Sequence, residues 1–454
     1  MGKHFVGLVL MLAAFLAATT SLAAPVKPGD EISPDNAALV QDLVSPGNFA
    51  LVKQGMRMKI VPTERLEWPP PYKSATEKYA SQVRLNDKGE LDGYLAGLPF
   101  SSIDPNDPQA ATKAIWNFSY RPQYTDDVDV RGIEFDTYTA SDPEPKEHFE
   151  VGHLSFYFNF GRTEVSPLPQ DPDGTSAGIR YRFGAYPFHE PAEIAGFGFI
   201  RYRYMDPTVE DNTWSYNPGS GRIRRVSANV LSDQMQPTSN MVGAGAGGAG
   251  GAGGGGAGAA ATFVNNLDPD SMFGFAAKVE DFDYRLLGLK PMLASVHAAS
   301  VPARPCEFDN HRTICPENWE MRQLYVIEAT EKPLSWHQRI GGDGLIIPRR
   351  IFYIDSEGWF ITASDQYDKQ GRLWKTLATF NTYRDRPVPD AKVAIFPFKR
   401  MFQAALVDED LQDGYSTVEY TPGQQGDDRE CWYINMGIVT RQYLDPQRMV
   451  MNVR

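Results

Sequence analysis

Between Trp319 and Trp374 the chain alternates apolar, β-branched and aromatic runs with short polar turns. Leu324–Thr330 (LYVIEAT), Arg349–Asp355 (RRIFYID) and Trp359–Ser364 (WFITAS) are the runs. Ser356–Gly358 and Asp365–Gly371 are the polar breaks, and Arg372–Trp374 follows. This pattern predicts an antiparallel β-meander. It extends in both directions. Phe149–Phe160 is dense in aromatics. Ile200–Tyr204 alternates, with Arg201 and Arg203 on one face and Ile200, Tyr202 and Tyr204 on the other. Trp214–Ile223 predicts a hairpin around Asn217–Gly221. Val393–Phe398, Phe402–Val407, Ser416–Tyr420 and Trp432–Tyr443 predict further short strands, while Asp408–Asp410 and Asp427–Glu430 predict solvated turns. Helical signals concentrate near the N-terminus. Ser33 caps a short helix through Val44, Tyr72–Leu85 is amphipathic, and Asp107 caps a helix to about Asn117. Met56–Val61 predicts a strand, and Met272–Leu289 a helix or mixed lid segment. So little helix between the strands favours an antiparallel sheet over βαβ units.

The first residues change the picture most. Lys3 and His4 precede an apolar run from Phe5 to Ala18, and small residues around Leu22–Ala24 offer a cleavage site. This is the pattern of a secretory signal peptide over 1–24. The run is shorter than the roughly 20 residues that span a bilayer, and no Cys follows it for lipid attachment. The expectation is an exported, soluble, periplasmic protein without a lipid anchor. The formal charge of −13 becomes −14 once Lys3 leaves with the leader, so electrostatics offers nothing to nucleic acid. Export permits a disulfide between Cys306 and Cys315 across a short loop. Cys431 is then left over, as a buried thiol, and the zinc alternative lacks its four ligands. Residues 243–261 contain only Gly and Ala. They predict a disordered insertion reaching roughly 24 Å. The Gly-x-Gly-x-x-Gly inside the tract has no strand-helix context, so it carries no nucleotide-binding meaning.

Several motifs recur in a fixed order: Val52–Met56 (VKQGM), Gly93–Phe100 (GYLAGLPF) with Asp104–Pro108, Phe282–Gly288 (FDYRLLG), Leu324–Thr330, Arg350–Asp355, Trp359, Asp365–Asp368 and Leu373–Trp374. This set resembles a family of exported bacterial proteins of unknown function described as outer-membrane lipoprotein-sorting-like and similar to the periplasmic lipoprotein carriers. The resemblance runs from about Val52 to Arg384, and the Gly/Ala tract departs from it. It implies a mainly β (α+β) fold: a large, strongly curved antiparallel sheet, an unclosed barrel, with helices covering the concave face. It implies one domain over 25–454. It also implies a hydrophobic, lipid-like cargo moving between an inner-membrane exporter and the outer membrane.

Candidate chemistry follows from that face. Phe156, Phe158, Tyr202, Tyr204, Phe352 and Trp359 are candidates to line a ligand cavity, with ordinary core packing as the plainer alternative. Burying an apolar cargo there is favourable by about 25 cal/mol per Å². Arg222 and Arg224 share one strand face and suit phosphate or carboxylate head groups. Arg349 and Arg350 open a central strand. No Gly-x-Ser-x-Gly or His-Glu-x-x-His is present, so no catalytic residue, metal or cofactor is assigned. Asp126-Asp127-x-Asp129 and Glu280-Asp281-x-Asp283 lack the ligand count of a calcium loop. The expected function is a non-enzymatic carrier or chaperone of a lipid-like molecule. The alternatives are an assembly component of an envelope transport complex without a small ligand, and a hydrolase. A carrier predicts an apolar cavity under a helical lid, whereas an assembly component predicts a filled core with an exposed apolar patch.

Overall fold

The computed structural model describes residues 26–226, 278–299, 303–333, 347–386, 395–420 and 432–452. The leader, the Gly/Ala tract, Asp427–Glu430 and Cys431 lie outside the described residues. Among the described residues seventeen strands form one sheet. One half comprises β5 (Asp127–Thr139), β6 (Asp142–Phe158), β7 (Ile179–Ala185), β8 (Phe188–Glu190), β9 (Gly198–Tyr204), β10 (Asn212–Asn217) and β11 (Arg222–Val226). The other comprises β12 (Phe282–Ala294), β13 (Glu317–Glu331), β14 (Arg349–Asp355), β15 (Ile361–Tyr367), β16 (Leu373–Arg384), β17 (Arg400–Asp410), β18 (Tyr415–Tyr420) and β19 (Trp432–Ile434). In space the order runs β11, β10, β9, β7, β6, β5, β18, β17, β16, β15, β14, β13, β12, all antiparallel. β19 continues the line of β18 along β5, and β8 that of β7 along β6. β2 (Met58–Ile60) runs parallel to the start of β13 and carries β1 (Glu31–Ile32). A separate two-stranded ribbon pairs β3 (Arg84–Leu85) with β4 (Leu91–Asp92).

The sheet is open but curls back on itself. Phe199 of β9 and Phe282 of β12 lie near opposite edges, yet they belong to one buried cluster. Lys278, just before β12, donates to the carbonyls of Pro207 and Val209, just after β9, at 3.1 and 2.6 Å. Among the described residues β11 pairs with β10 and β12 with β13, and no register joins β11 to β12. Two-residue alternation fills the inner face: Leu154, Phe156 and Phe158 on β6, and Tyr325, Ile327 and Ala329 on β13.

The outer face carries smaller apolar clusters, each under its own covering segment. Helix α1 (Pro46–Gln54) packs on β15 and β16. Ser45 caps it by accepting from the Asn48 N–H at 3.0 Å. Asp365 accepts from the Gly47 N–H at 3.1 Å and from the Thr376 hydroxyl at 3.0 Å. The Pro-rich stretch after β2 is pinned by Arg322, which meets Glu320, Asp355 and Glu357. A C-terminal helix, Pro446–Asn452, lies over Tyr186 and Ile200.

Four expectations are corrected. The described part of Met272–Leu289 enters strand β12, because Phe282, Tyr284 and Leu286 alternate toward the inner core along a full ladder with β13. Trp432–Tyr443 keeps its strand only to Ile434. There the Asp127 carboxylate gathers the N–H groups of Gly437, Ile438 and Val439 into a loop, and Asn435 takes φ 53°. Asp408–Asp410 is the end of β17, not a solvated turn. Glu409 pairs with Arg312, and Asp410 accepts from the Trp374 indole at 2.9 Å. Ile395–Phe398 forms no strand.

Cys306 and Cys315 are bonded. Their loop packs on Gly55, where a Cβ would come within 2.4 Å of the Phe308 carbonyl, and Arg57 lies 3.5 Å over the Phe308 ring. Replacing both cysteines by alanine is expected to cost roughly 2–3 kcal/mol in urea unfolding. An unchanged midpoint would mean that these packing contacts alone close the loop.

Candidate functional site

The inner face is covered by one stretch of chain, residues 70–120, containing α2 (Pro70–Tyr79) and α3 (Ala110–Ser119). Asp107 starts α3 by accepting from the Gln109 N–H at 2.8 Å. Small Ala110, Ala111 and Ala114 let the helix approach the sheet, and Ile115 and Phe118 fill the space between. The cover is held together largely by its own polar bonds. Tyr72 donates to the Tyr120 carbonyl at 2.6 Å, Asn117 exchanges two bonds with the Phe100 backbone, and the Trp116 indole donates to the Gly89 carbonyl. Toward the sheet it presents mostly apolar side chains. Its polar ties there include the Gly161 N–H to the Leu95 carbonyl and Arg180 to the Ser119 carbonyl.

Four of the six cavity candidates meet in this inner cluster: Phe156, Phe158, Phe352 and Trp359. Phe156 stacks on Phe183 at 5.2 Å, and Trp359, at a left-handed φ of 58°, stacks on Tyr325 at 5.4 Å. Side chains from the sheet and the cover pack around them in the same cluster. Tyr202 lies on the outer face instead, against Trp214. Tyr204, at the end of β9, lines a small cavity described below. The head-group candidates Arg222 and Arg224 are exposed on edge strand β11. Arg224 pairs with Ser215, and Val226 pairs with Thr213, the partner of the buried Arg201. This register puts Arg222, Arg224, Arg201 and Arg203 on one sheet face. Arg349 is on the rim, bonded to Glu328 at 2.7 Å, while Arg350 is fully buried near Phe282.

The inner cluster is not wholly apolar. Among the described residues, the buried indole N–H groups of Trp359 and Trp432, both in it, have no acceptor. Orphan donors of this kind are uncommon in native cores. Nearby, burial pushes the Glu419 carboxyl up to about 8, against the pull of the Gln403 amide at 2.9 Å. The folded acid therefore keeps its proton to about pH 8, while the unfolded chain releases it near 4.3. Its contribution to stability is full below about pH 4 and falls as the pH rises to about 8. Glu419→Gln should gain on the wild type by roughly 3 kcal/mol between pH 4.5 and 7 in urea unfolding. A pH-independent difference would contradict a neutral buried acid.

Asp126 and Asp127 serve the backbone. Asp126 accepts from the N–H groups of Thr163, Glu164 and Val165, and Asp127 from the 437–439 loop. Asp129 takes Arg131, Ser155 and His153. Among the described residues no group of three His, Cys, Asp or Glu side chains forms a metal cluster.

A cavity of about 30 Å³ sits where the inner cluster meets the seam between the sheet's two ends. Trp116 and Tyr120 of the cover form one wall. Arg180, Arg203, Lys278 and Glu280 supply its charges. Sequence reasoning missed these residues. The alternation in Ile200–Tyr204 was legible, but an arginine face on a strand ordinarily faces water, and only the curl of the sheet turns it inward.

The chain belongs to the family described as protein of unknown function, DUF1329. The family model matches residues 31–244 and 261–446, and the skipped 245–260 hold only Gly and Ala. An uncharacterised protein of Pseudomonas aeruginosa is 22% identical over 370 residues, covering 79% of this chain and 70% of that one. A domain from Vibrio parahaemolyticus, provisionally described as an outer membrane lipoprotein-sorting protein domain, aligns with TM-score 0.43 at 13% identity over 76% of this chain and 100% of that one. A DUF1329 protein from Desulfovibrio piger aligns with TM-score 0.39 at 14% identity over 72% and 92%.

Proposed function

We propose that this family member is a periplasmic carrier or chaperone of a hydrophobic, lipid-like molecule, binding it between the inner face of the sheet and the 70–120 cover. One observation carries this. The largest apolar surface is closed by a stretch of chain whose polar bonds are mainly internal, so the cover can lift as a unit while keeping most of its hydrogen bonds. The carrier reading expects an open apolar cavity under the lid, and the described inner face is instead packed by side chains; on this reading the packed form is the unloaded state, and cargo replaces the cover's contacts with its own apolar area. The orphan indole donors of Trp359 and Trp432 suit a cargo that brings acceptor oxygens into the core. The signal-peptide pattern and the Cys306–Cys315 bond fit an oxidising compartment. No described helix is long and apolar enough to cross a membrane. An inner-membrane exporter and an outer-membrane acceptor are the partners this role calls for.

The test is binding of a fluorescent fatty acid to the mature protein, with the cover tethered to the sheet as control. Cys pairs replacing Leu95 and Phe160 provide the tether. The carrier reading expects saturable binding that the oxidised tether abolishes and reduction restores. Binding indifferent to the tether would place the ligand elsewhere.

A second reading, an assembly component without a small ligand, has its own observation. Leu168, Ile395, Met436 and Ile438 are exposed on three loops that meet at Glu164, which bonds both Arg400 and Asn435. Grouped exposed apolar residues mark contact surfaces. Crosslinking from these loops in intact cells distinguishes the readings. A stoichiometric protein partner combined with an empty inner face favours assembly.

A further inference from the structure

Among the described residues four indoles pack in or against the inner cluster, and they fall into two pairs. Trp68, just before the cover, and Trp116, within it, donate to the carbonyls of Glu357 and Gly89 at 2.7 and 2.8 Å. Trp359 and Trp432, on the sheet side, have no acceptor among the described residues, and each is only 4% exposed. Both N–H groups are thus nearly shut off from bulk water, and a buried donor without a partner costs free energy. The two stand at the same end of the sheet. Trp359 precedes β15, and Trp432 opens β19. Strands β16 and β17 lie between their lines, and Phe402 of β17 meets the Trp432 ring at 5.8 Å.

Their surroundings favour an uncharged acceptor. Phe352, Ile354, Ile361 and Phe402 of the same cluster are apolar. Glu419 acts on Tyr124, a member of the cluster, yet burial holds that carboxyl protonated. The guanidiniums at the border, Arg121 and Arg350, already have partners in the protein. An ionised head group would have to break those contacts or stay unpaired in an apolar place. Indole only donates, so its complement is a group that only accepts. An ester is such a group. An alcohol or amide would bring a donor of its own to satisfy, and a hydrocarbon would leave both indoles orphaned. We propose that Trp359 and Trp432 determine the specificity of the cargo site by donating to ester carbonyls, so that the site prefers an acyl ester to a free fatty acid or a hydrocarbon. The inference rests on the carrier reading and narrows its cargo.

The experiment displaces diphenylhexatriene, a fluorescent hydrocarbon, from the mature full-length chain at neutral pH with methyl laurate, laurate or pentadecane. Pentadecane accounts for burial of the chain, so the reading is the ratio of ester to alkane affinity. Trp359→Phe and Trp432→Phe are each expected to lower that ratio by about tenfold, the size of one hydrogen bond to an otherwise orphaned donor. Laurate is expected to displace the probe about tenfold less well than the ester. Melting curves confirm that each variant folds. Heteronuclear NMR of the wild type decides the matter where a variant does not: the two indole N–H signals are expected to move downfield with methyl laurate and to stay in place with pentadecane. Dilauroylglycerol and dilauroylphosphatidylcholine, run in the same way, tell a glyceride from a phospholipid as the source of the ester, and displacement by either that depends on these indoles supports the site. Variants that weaken ester and alkane alike, indole signals that the ester leaves unmoved, or laurate that displaces better than the ester would each overturn the ester site and leave the carrier reading standing. Failure to bind diphenylhexatriene or any competitor overturns both.

Discussion

Arg322→Leu is expected to destabilise the protein by roughly 3–5 kcal/mol, the range for removing one partner from a buried ionic network. The guanidinium is 4% exposed and lies among three carboxylates. It bonds Asp355 at 2.8 Å, Glu357 at 2.9 Å and Glu320 at 3.2 Å, and also holds the Glu64 carbonyl at 2.6 Å. Burial alone would lower its pKa, but Asp355, Glu320 and Glu357 outweigh burial and raise it. Leucine restores packing but leaves Asp355 and Glu320 buried without their cation. Those carboxylates then take up protons on folding, so the deficit should shrink as the pH falls toward 4. The same network anchors the chain leading to α2, through the Leu66 N–H and the Trp68 indole on Glu357. Urea unfolding at pH 7.5 and 4.5 gives both quantities. A loss below about 1 kcal/mol, or one independent of pH, would contradict this account. Adding Asp355→Asn to Arg322→Leu should recover part of the loss, because the two residues act through one contact.

Gly47→Ala is expected to cost about 3 kcal/mol, through overpacking and a lost hydrogen bond. A Cβ at this position would stand 1.9 Å from the Thr376 hydroxyl oxygen and 2.4 Å from Asp365 Oδ1. Both are fixed. Thr376 and Asp365 sit in the middle of β16 and β15, bonded to each other, and Tyr353 adds a third bond to the carboxylate at 3.2 Å. The helix must therefore withdraw, which breaks the Gly47 N–H bond to Asp365. That carboxyl is already pushed up to about 6 by burial, and one donor fewer raises it further. The penalty should accordingly be larger at pH 7.5 than at pH 4.5. Thermal melting of Gly47→Ala alone and with Thr376→Ser gives the answer. A melting temperature within about 2 °C of the wild type would mean that α1 is not seated as described.

The sheet was legible in the sequence because its signal is local. Alternation in Ile200–Tyr204, the aromatic density of Phe149–Phe160 and the Asp/Gly breaks of the meander survive as β9, β6 and β13–β16. Boundaries failed where a side chain from elsewhere captured the backbone, as Asp127 does to residues 437–439. Acidic residues misled wherever their partner was remote. Glu409 finds Arg312 and Asp365 finds Gly47, and neither pairing leaves a trace in local composition. The candidate site was half legible for the same reason. Phe156, Phe158, Phe352 and Trp359 announce a buried face by their spacing. Arg180, Arg203 and Lys278 come together only when the two ends of the sheet approach, and no window of the sequence contains that fact.

The central claim is that the inner face beneath residues 70–120 receives a lipid-like cargo. The most direct measurement is mass spectrometry of an organic extract of the mature protein purified from periplasm. The account predicts a lipid in near-stoichiometric amount, absent from an extract of the Leu95–Phe160 tethered form. A protein that yields no lipid, and takes up none when offered fatty acids, would contradict it.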